Sequence, residues 1–247
     1  MNDSLDLGLK EKVAIIAGAG AKGDGIGNGR AAAILLAEAG AKVVVADKDQ
    51  ELAERTVQMI SERKGHAVSV AADLTKANDC EEVVEYALNH YGRLDVLDNN
   101  IGIASNLSVV EESEEYWDRV MEINLKPMFL MSKYAIPAMI SSGDGGSIVN
   151  ISSISATRPK GLTAYSTSKG AVLSLTQAMA VDHGSDGIRV NCILPGPVYT
   201  PMVYASSSYL NQEGMSSEQR SQRQNASLLQ IEGEGWDIGK AVVYLSS

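Results

Sequence analysis

Apolar residues in this chain come as short uninterrupted runs separated by stretches with helical spacing. Val13 to Ala17 (VAIIA), Lys42 to Ala46 (KVVVA), His66 to Ala71 and Leu94 to Leu97 read as strands, and so do Ser147 to Ile151 (SIVNI) and Ile188 to Ile193 (IRVNCI). The stretches between them read as helices over Arg30 to Ala39, ended by Gly40, then over Gln50 to Lys64, Ala77 to Tyr91 and about Ala164 to His183. Runs of β-branched residues without alternation are what strands buried on both faces require, as in a parallel sheet. Strands alternating with helices of this length give βαβ units. The predicted fold class is α/β, one doubly wound Rossmann-type domain over residues 1–247 with helices on both faces of a mainly parallel sheet. A nucleotide-binding half spans about 10–100 and a catalytic and substrate half about 101–247. Within the second half, the polar, Ser/Gln-rich stretch at about 201–225 reads as a mobile flap, because an αβ-like pattern resumes at Gly235.

Six glycines fall within the twelve residues Gly18 to Gly29, between the first strand and the first helix. Glycines there let the backbone turn tightly and approach a pyrophosphate, and the helix N-terminus offers free N–H groups and a positive dipole end to the anion. Asp47 lies twenty residues after Gly27, at the end of the second strand, where a carboxylate accepts hydrogen bonds from the adenosine ribose. The same carboxylate repels a 2′-phosphate, so NAD is favoured over NADP, with Lys22 and Lys48 near enough in sequence to blunt the preference. A nicotinamide cofactor preferred as NAD in turn favours alcohol oxidation.

Charge and composition narrow the field. The formal net charge of -10 disfavours nucleic-acid and membrane-surface roles. Cys80 and Cys192 form no CxxC pair, so neither a metal site nor a disulfide framework is indicated. The N-terminal stretch has no apolar core of a secretory signal, and no run reaches membrane-spanning length, which places the protein in the cytoplasm by default.

Tyr165 and Lys169 are spaced i, i+4 at the start of the long helix, so they share a face. A phenol with a pKa of about 10 is a poor base at neutral pH, but a neighbouring ammonium favours the phenolate. Upstream stand Asn150-Ile-Ser152-Ser153, Asp98-Asn99-Asn100-Ile-Gly102 and Asn124 in Glu122-Ile-Asn124-Leu; downstream stands Pro195-Gly196-Pro-Val198-Tyr-Thr200. Taken singly, these residues have plainer readings, with Asn124 a helix-start cap and the serines polar strand ends.

Together and in this order they resemble the short-chain dehydrogenase/reductase family from about Val13 onward. The resemblance implies an oxidoreductase interconverting a secondary alcohol and its ketone. Tyr165 would be the general acid/base, Lys169 would hold the nicotinamide ribose and stabilise the tyrosinate, Ser153 would hydrogen-bond the substrate oxygen, and Asn124 would anchor water near Lys169. The cofactor would meet Gly18, Gly25, Ile26 and Gly27 at the loop, Asp73, Leu74, Asn99 and Gly102 on the adenosine side, and Pro195, Gly196, Val198 and Thr200 toward the carboxamide. A homo-oligomer, tetramer or dimer, is implied in the same way. The flap residues Met202, Val203, Tyr204, Tyr209, Leu210 and Met215 suggest an apolar or alicyclic substrate.

Three departures from the family pattern stand out. The glycine loop is three residues longer than G-x3-G-x-G. Ser153 precedes Tyr165 by twelve residues and Ser152 by thirteen, so spacing alone would choose Ser152, whereas the second serine of Asn-x-Ser-Ser is the usual catalytic one. The sequence stops at Tyr244-Leu-Ser-Ser247, before the family's last strand, which leaves assembly open. Three other functions compete: an NADP-linked carbonyl reductase, a non-catalytic dinucleotide-binding regulator, and a nucleotide-sugar epimerase or dehydratase. The regulator needs no acid/base set, and the epimerase wants a larger C-terminal substrate domain.

Overall fold

Six parallel strands form one sheet in the order β3-β2-β1-β4-β5-β6: β1 Val13–Ala17, β2 Lys42–Asp47, β3 His66–Ala71, β4 Val96–Asn99, β5 Gly146–Ile151 and β6 Ile188–Ile193. The structure is a computed structural model describing residues 7–159, 161–205 and 215–247. Helices α1 Asn28–Glu38, α2 Gln50–Glu62, α3 Ala77–Tyr91, α4 Glu114–Asn124, α5 Lys126–Ser142 and α6 Thr163–His183 follow in the connections. Beyond β6 come β7 Val198–Tyr199, α7 Pro201–Tyr204, α8 Ser217–Asn225, β8 Gly233–Glu234 and α9 Gly235–Ser246, with β7 and β8 pairing in parallel. No helix among the described residues is long and apolar enough to cross a membrane.

The central strands β1, β2, β4 and β5 are buried on both faces, whereas the edge strands β3 and β6 are only partly buried. Val13, Ile15 and Ala17 of β1 enter one core cluster with Leu97, Met131 and Ile148, while Ala14 and Ile16 enter a second with Val43, Val149 and Val242. Each fully buried Ile or Val contributes about 1.5–3 kcal/mol of apolar transfer, which makes β1 the keel of the fold. Local signals set the helix ends. The Asp49 carboxylate accepts from Leu52 N at 3.2 Å to start α2, and the Ser113 hydroxyl accepts from Tyr116 N at 3.1 Å to start α4. Gly92, with φ of 80°, ends α3 in the left-handed conformation.

The structure corrects several expectations. Strand β4 runs from Val96 to Asn99, two residues later than predicted. The polar Asp98 and Asn99 continue the ladder against Val149 and Asn150, while Asp95 below it is tied to Arg93 at 2.6 Å and to Lys12 at 3.0 Å. Asn124 is the last residue of α4 rather than a helix-start cap. The flap is partly helical: α8 carries a capping box in which Ser216 and Gln219 satisfy each other's backbone N–H. Residues 206–214, with Tyr209 and Leu210, lie outside the described residues.

Asp98 is completely buried, one of its carboxylate oxygens has no hydrogen-bond partner among the described residues, and Asn100 Nδ2 donates to the other at 3.2 Å. Burial raises its pKa to about 7, with the Asn100 bond opposing the rise. An unfolded aspartate titrates near 3.9, so between about pH 4 and 7 the native state holds a proton that the unfolded chain has lost. Stability therefore falls as pH rises through that window, and the full penalty applies above it. Asp98→Asn removes the titration. We expect its melting-temperature gain over the parent to be at least about 3 °C larger at pH 8 than at pH 5, since one pKa unit is worth about 1.4 kcal/mol. An equal gain at both pH values would contradict this account of Asp98.

Candidate active site

In this sheet order the chain reverses direction between β1 and β4, and the crevice at their carboxyl ends is where an α/β sheet binds ligands. A cavity of about 1130 Å³ opens there. Gly18, Gly27 and Asp47 line it, as do Asp73, Leu74, Gly102 and Thr200. Gly18 has φ of 86°, and a Cβ on it would stand 3.0 Å from the Asn100 carbonyl, so the loops after β1 and β4 nearly touch. The Asp47 carboxylate faces the loop from the end of β2. One oxygen accepts from Gly20 N at 2.8 Å and the other from Asp49 N at 3.1 Å. A Cβ at Gly20 would lie 2.7 Å from that carboxylate, which explains a glycine there.

The other predicted cofactor residues sit elsewhere. The Asn99 side chain is buried in the sheet, donating to Asn150 Oδ1 at 2.9 Å, and it is Asn100 that lines the cavity. Gly25 lies under the flap helix: a Cβ there would be 2.5 Å from Pro201 Cγ and 2.6 Å from the Tyr204 hydroxyl. The Ile26 carbonyl backs onto Gly235 of α9. Pro195 accepts from Ile154 N at 3.0 Å, Gly196 lies in the loop between β6 and β7, and Val198 is buried in β7. These residues shape the walls behind the cavity.

Tyr165, Lys169 and Ser153 do not line this cavity; α6 brings Tyr165 and Lys169 together one turn apart, beside its lining residue Gly102. The Lys169 amine is buried, donates to the Ile151 carbonyl at 2.9 Å and lies 5.9 Å from the Tyr165 ring centroid. Burial lowers its pKa to about 8, with nearby Cys192 opposing. Gly102 closes the gap to the cavity, since a Cβ there would be 3.2 Å from Lys169 Nζ and 3.4 Å from Asn124 Oδ1. Asn124 is fully buried. Its Oδ1 accepts from Ile103 N at 2.7 Å, and its Nδ2 donates to Ile103 O and Ser168 Oγ, both at 3.0 Å. The two serines differ. Ser152 Oγ donates to the Lys169 carbonyl at 2.7 Å and is spent on holding α6 to β5. Ser153 Oγ accepts from Ser155 N at 3.2 Å, which leaves its proton available to an acceptor.

The sequence reading missed Arg30. It is the largest fully buried side chain in the protein among the described residues, set in the first turn of α1 behind the glycine loop. The lengthened loop is folded around it. Helix position alone marks Arg30 as solvated; the signal was a cation within three residues of Gly27, beside a loop with surplus carbonyls.

The fold thus sets a crevice at the carboxyl ends of β1 and β4 close to a tyrosine and a buried lysine one turn apart on α6. The short chain dehydrogenase family profile matches residues 12–210. An uncharacterized oxidoreductase from Thermotoga maritima is 41% identical over 196 residues, covering 77% of this chain and 73% of that protein. A cyclohexanol dehydrogenase from Acinetobacter is 37% identical over 79% of this chain and 76% of its own. A solved structure assigned to the short-chain dehydrogenases/reductases, from Burkholderia xenovorans, superposes with a TM-score of 0.88 at 33% identity, covering 97% of this chain and 90% of that one. The chain belongs to the short-chain dehydrogenase/reductase family.

Proposed function

We propose that this protein is an NAD(H)-dependent oxidoreductase that interconverts a secondary alcohol and its ketone. The carrying observation is the buried Lys169 amine, one helical turn from Tyr165 and packed against Gly102, which lines the cavity. The residues present suit a dinucleotide. Close backbone approach at Gly18 leaves an open cradle, the cavity ends in a fixed carboxylate at Asp47, and its volume suits an extended ligand. When bound, the nicotinamide would supply the hydride chemistry, and the protein would position and protonate.

Ser153 donates its free proton to the substrate oxygen, a preorganised electrostatic role. Tyr165 exchanges a proton with that oxygen, and the Lys169 ammonium favours the phenolate form. Asn124 fixes the Ile103 backbone beside Lys169. Asp47 presents a carboxylate that accepts from ribose hydroxyls and repels a 2′-phosphate. Lys22 and Lys48 line the same cavity, the one observation favouring an NADP-linked carbonyl reductase, but neither forms an ion pair with Asp47. The relative named for cyclohexanol, together with Met202 in the cavity wall, supports a cyclic or apolar secondary alcohol. We take the protein to be a cytoplasmic homo-oligomer built from one Rossmann-type domain.

Nicotinamide fluorescence titration tests the cofactor assignment. NADH should bind at least about tenfold tighter than NADPH, a difference of about 1.4 kcal/mol, and Asp47→Ala should close the gap. Tighter binding of NADPH by the parent would overturn the assignment to NAD.

A further inference from the structure

We propose that Arg30 is the positioning residue of the glycine loop, turning the loop's carbonyls away from the cavity so that its N–H face is left for the dinucleotide pyrophosphate. This rests on the dinucleotide reading above. A loop that must attract an anion has to dispose of its carbonyl oxygens, and a loop three residues longer than usual has more of them to dispose of. Here every second carbonyl from Ala19 to Gly25 turns to one buried centre. Arg30 Nη1 donates to Gly23 O at 2.7 Å and to Gly25 O at 2.8 Å, and Nη2 donates to Ala21 O at 2.8 Å and Leu52 O at 3.4 Å. Nε donates to Thr56 Oγ1 at 2.9 Å, and that hydroxyl donates in turn to Ala19 O at 2.9 Å.

All five guanidinium N–H groups therefore find an oxygen. No carboxylate makes an ion pair with Arg30 among the described residues: Asp24 is taken by Arg55 at 2.7 Å, and Asp47 by the amides of Gly20 and Asp49. An arginine whose purpose was only to hold α1 to α2 would need one partner on α2; this one spends three donors on the loop and makes no direct ion pair beneath it among the described residues. The planar fork is suited to several carbonyls at fixed angles, whereas an ammonium has three donors and no fork. The same clamp sets where the flap rests, because Gly25 carries Pro201 and Tyr204 on its outer side.

The test compares the parent, Arg30→Lys and Thr56→Val, using NADH, ADP-ribose and phosphate-free adenosine as ligands. Arg30→Lys keeps the charge but strands two of the five oxygens. Binding of NADH and ADP-ribose should weaken about tenfold, while adenosine should stay within about twofold. Amides of residues 18–27 should exchange hydrogen faster, with the rest of α1 unchanged. Thr56→Val, which on the loop frees only the Ala19 carbonyl, besides Arg30 Nε and the hydroxyl's contact with Leu52 O within α2, should weaken ADP-ribose about threefold, and it carries the test alone if Arg30→Lys does not fold. A folded variant binding ADP-ribose as the parent does, or losing adenosine in equal measure, would overturn the proposal and leave the oxidoreductase reading intact. A parent that binds neither NADH nor NADPH would overturn both.

Discussion

Tyr165→Phe should bind NADH within about twofold of the parent and lower kcat by roughly 10²–10⁴-fold. The substitution removes one oxygen and keeps the ring, so the α6 surface and the cavity wall are preserved. What goes is the phenol placed one turn from the buried Lys169 amine, beside the cleft-lining Gly102. An isolated phenol gives up its proton near pH 10, and the cost of reaching phenolate at neutral pH is reduced by a nearby cation that water cannot screen. Lys169 fits that part because its amine is fully enclosed and its one hydrogen bond among the described residues goes to the Ile151 carbonyl, a partner that does not cancel charge. Its pKa, lowered by burial to about 8, leaves it protonated through neutral pH. Steady-state rates at saturating NAD⁺, alongside NADH titration, separate the two effects. A phenylalanine variant retaining more than about a tenth of the parental kcat would remove Tyr165 from the acid/base role.

Gly29→Ala should damage both fold and cofactor site. Gly29 is buried in the first turn of α1, where an added Cβ would stand 2.4 Å from the Gly18 carbonyl oxygen and 3.1 Å from Ala19 Cα. Those atoms are backbone, so no rotamer change relieves the clash, and the helix start must retreat from the end of β1. Overpacking of this kind costs about 1–3 kcal/mol, which lowers the melting temperature by roughly 5 °C or more. NADH binding should weaken about 100-fold, because the same movement pulls the helix N-terminus away from the cleft. Gly27→Ala is the contrast for stability. Its Cβ would meet only Ala21 Cβ, at an ordinary 3.4 Å, and its melting temperature should stay within about 2 °C of the parent's. Equal melting temperatures for Gly29→Ala and the parent would show that α1 and β1 are not in the contact described.

Strand β1 was the easiest element to read, because burial on both faces leaves no reason for polar interruption, and it falls at the residues its apolar run marked; β3 and β6 also fall where they were read, although they are only partly buried and carry Ser69, Arg189 and Asn191. Helices α4 and α5 left no comparable mark. Pro127 in the first turn of α5 is compatible with a helix start, but Pro137 sits inside it, and tertiary packing of Met128, Met131 and Met139 overrides that signal. Strand β4 was misplaced because its end is polar: Asp98 and Asn99 belong to the sheet although their side chains suggest a loop. The nucleotide crevice and the Tyr165–Lys169 pair were legible, since glycine clustering and i, i+4 spacing are properties of the chain itself. The sequence chose Ser153 over Ser152 by the Asn-x-Ser-Ser motif against the spacing to Tyr165, and the two serines differ in their hydrogen bonding. Arg30 and Gly29 were hidden for opposite reasons. An arginine in a helix reads as a solvated side chain until five oxygens are seen around it, and the eye passes over one glycine more in a glycine-rich loop. Yet a glycine inside a first helical turn costs about 1 kcal/mol, which already hints at a close approach.

The most direct test of the central claim is isotopic. The protein is incubated with NAD⁺ and cyclohexanol carrying deuterium at the carbinol carbon, in parallel with a panel of other secondary alcohols labelled in the same way, and the reduced cofactor is examined by mass spectrometry. The account predicts protein-dependent formation of NADH that carries the deuterium, from at least one alcohol of the panel, formed at least about 100-fold more slowly with Tyr165→Phe. Absence of labelled reduced cofactor across the panel, with NAD⁺ and with NADP⁺ alike, would contradict it.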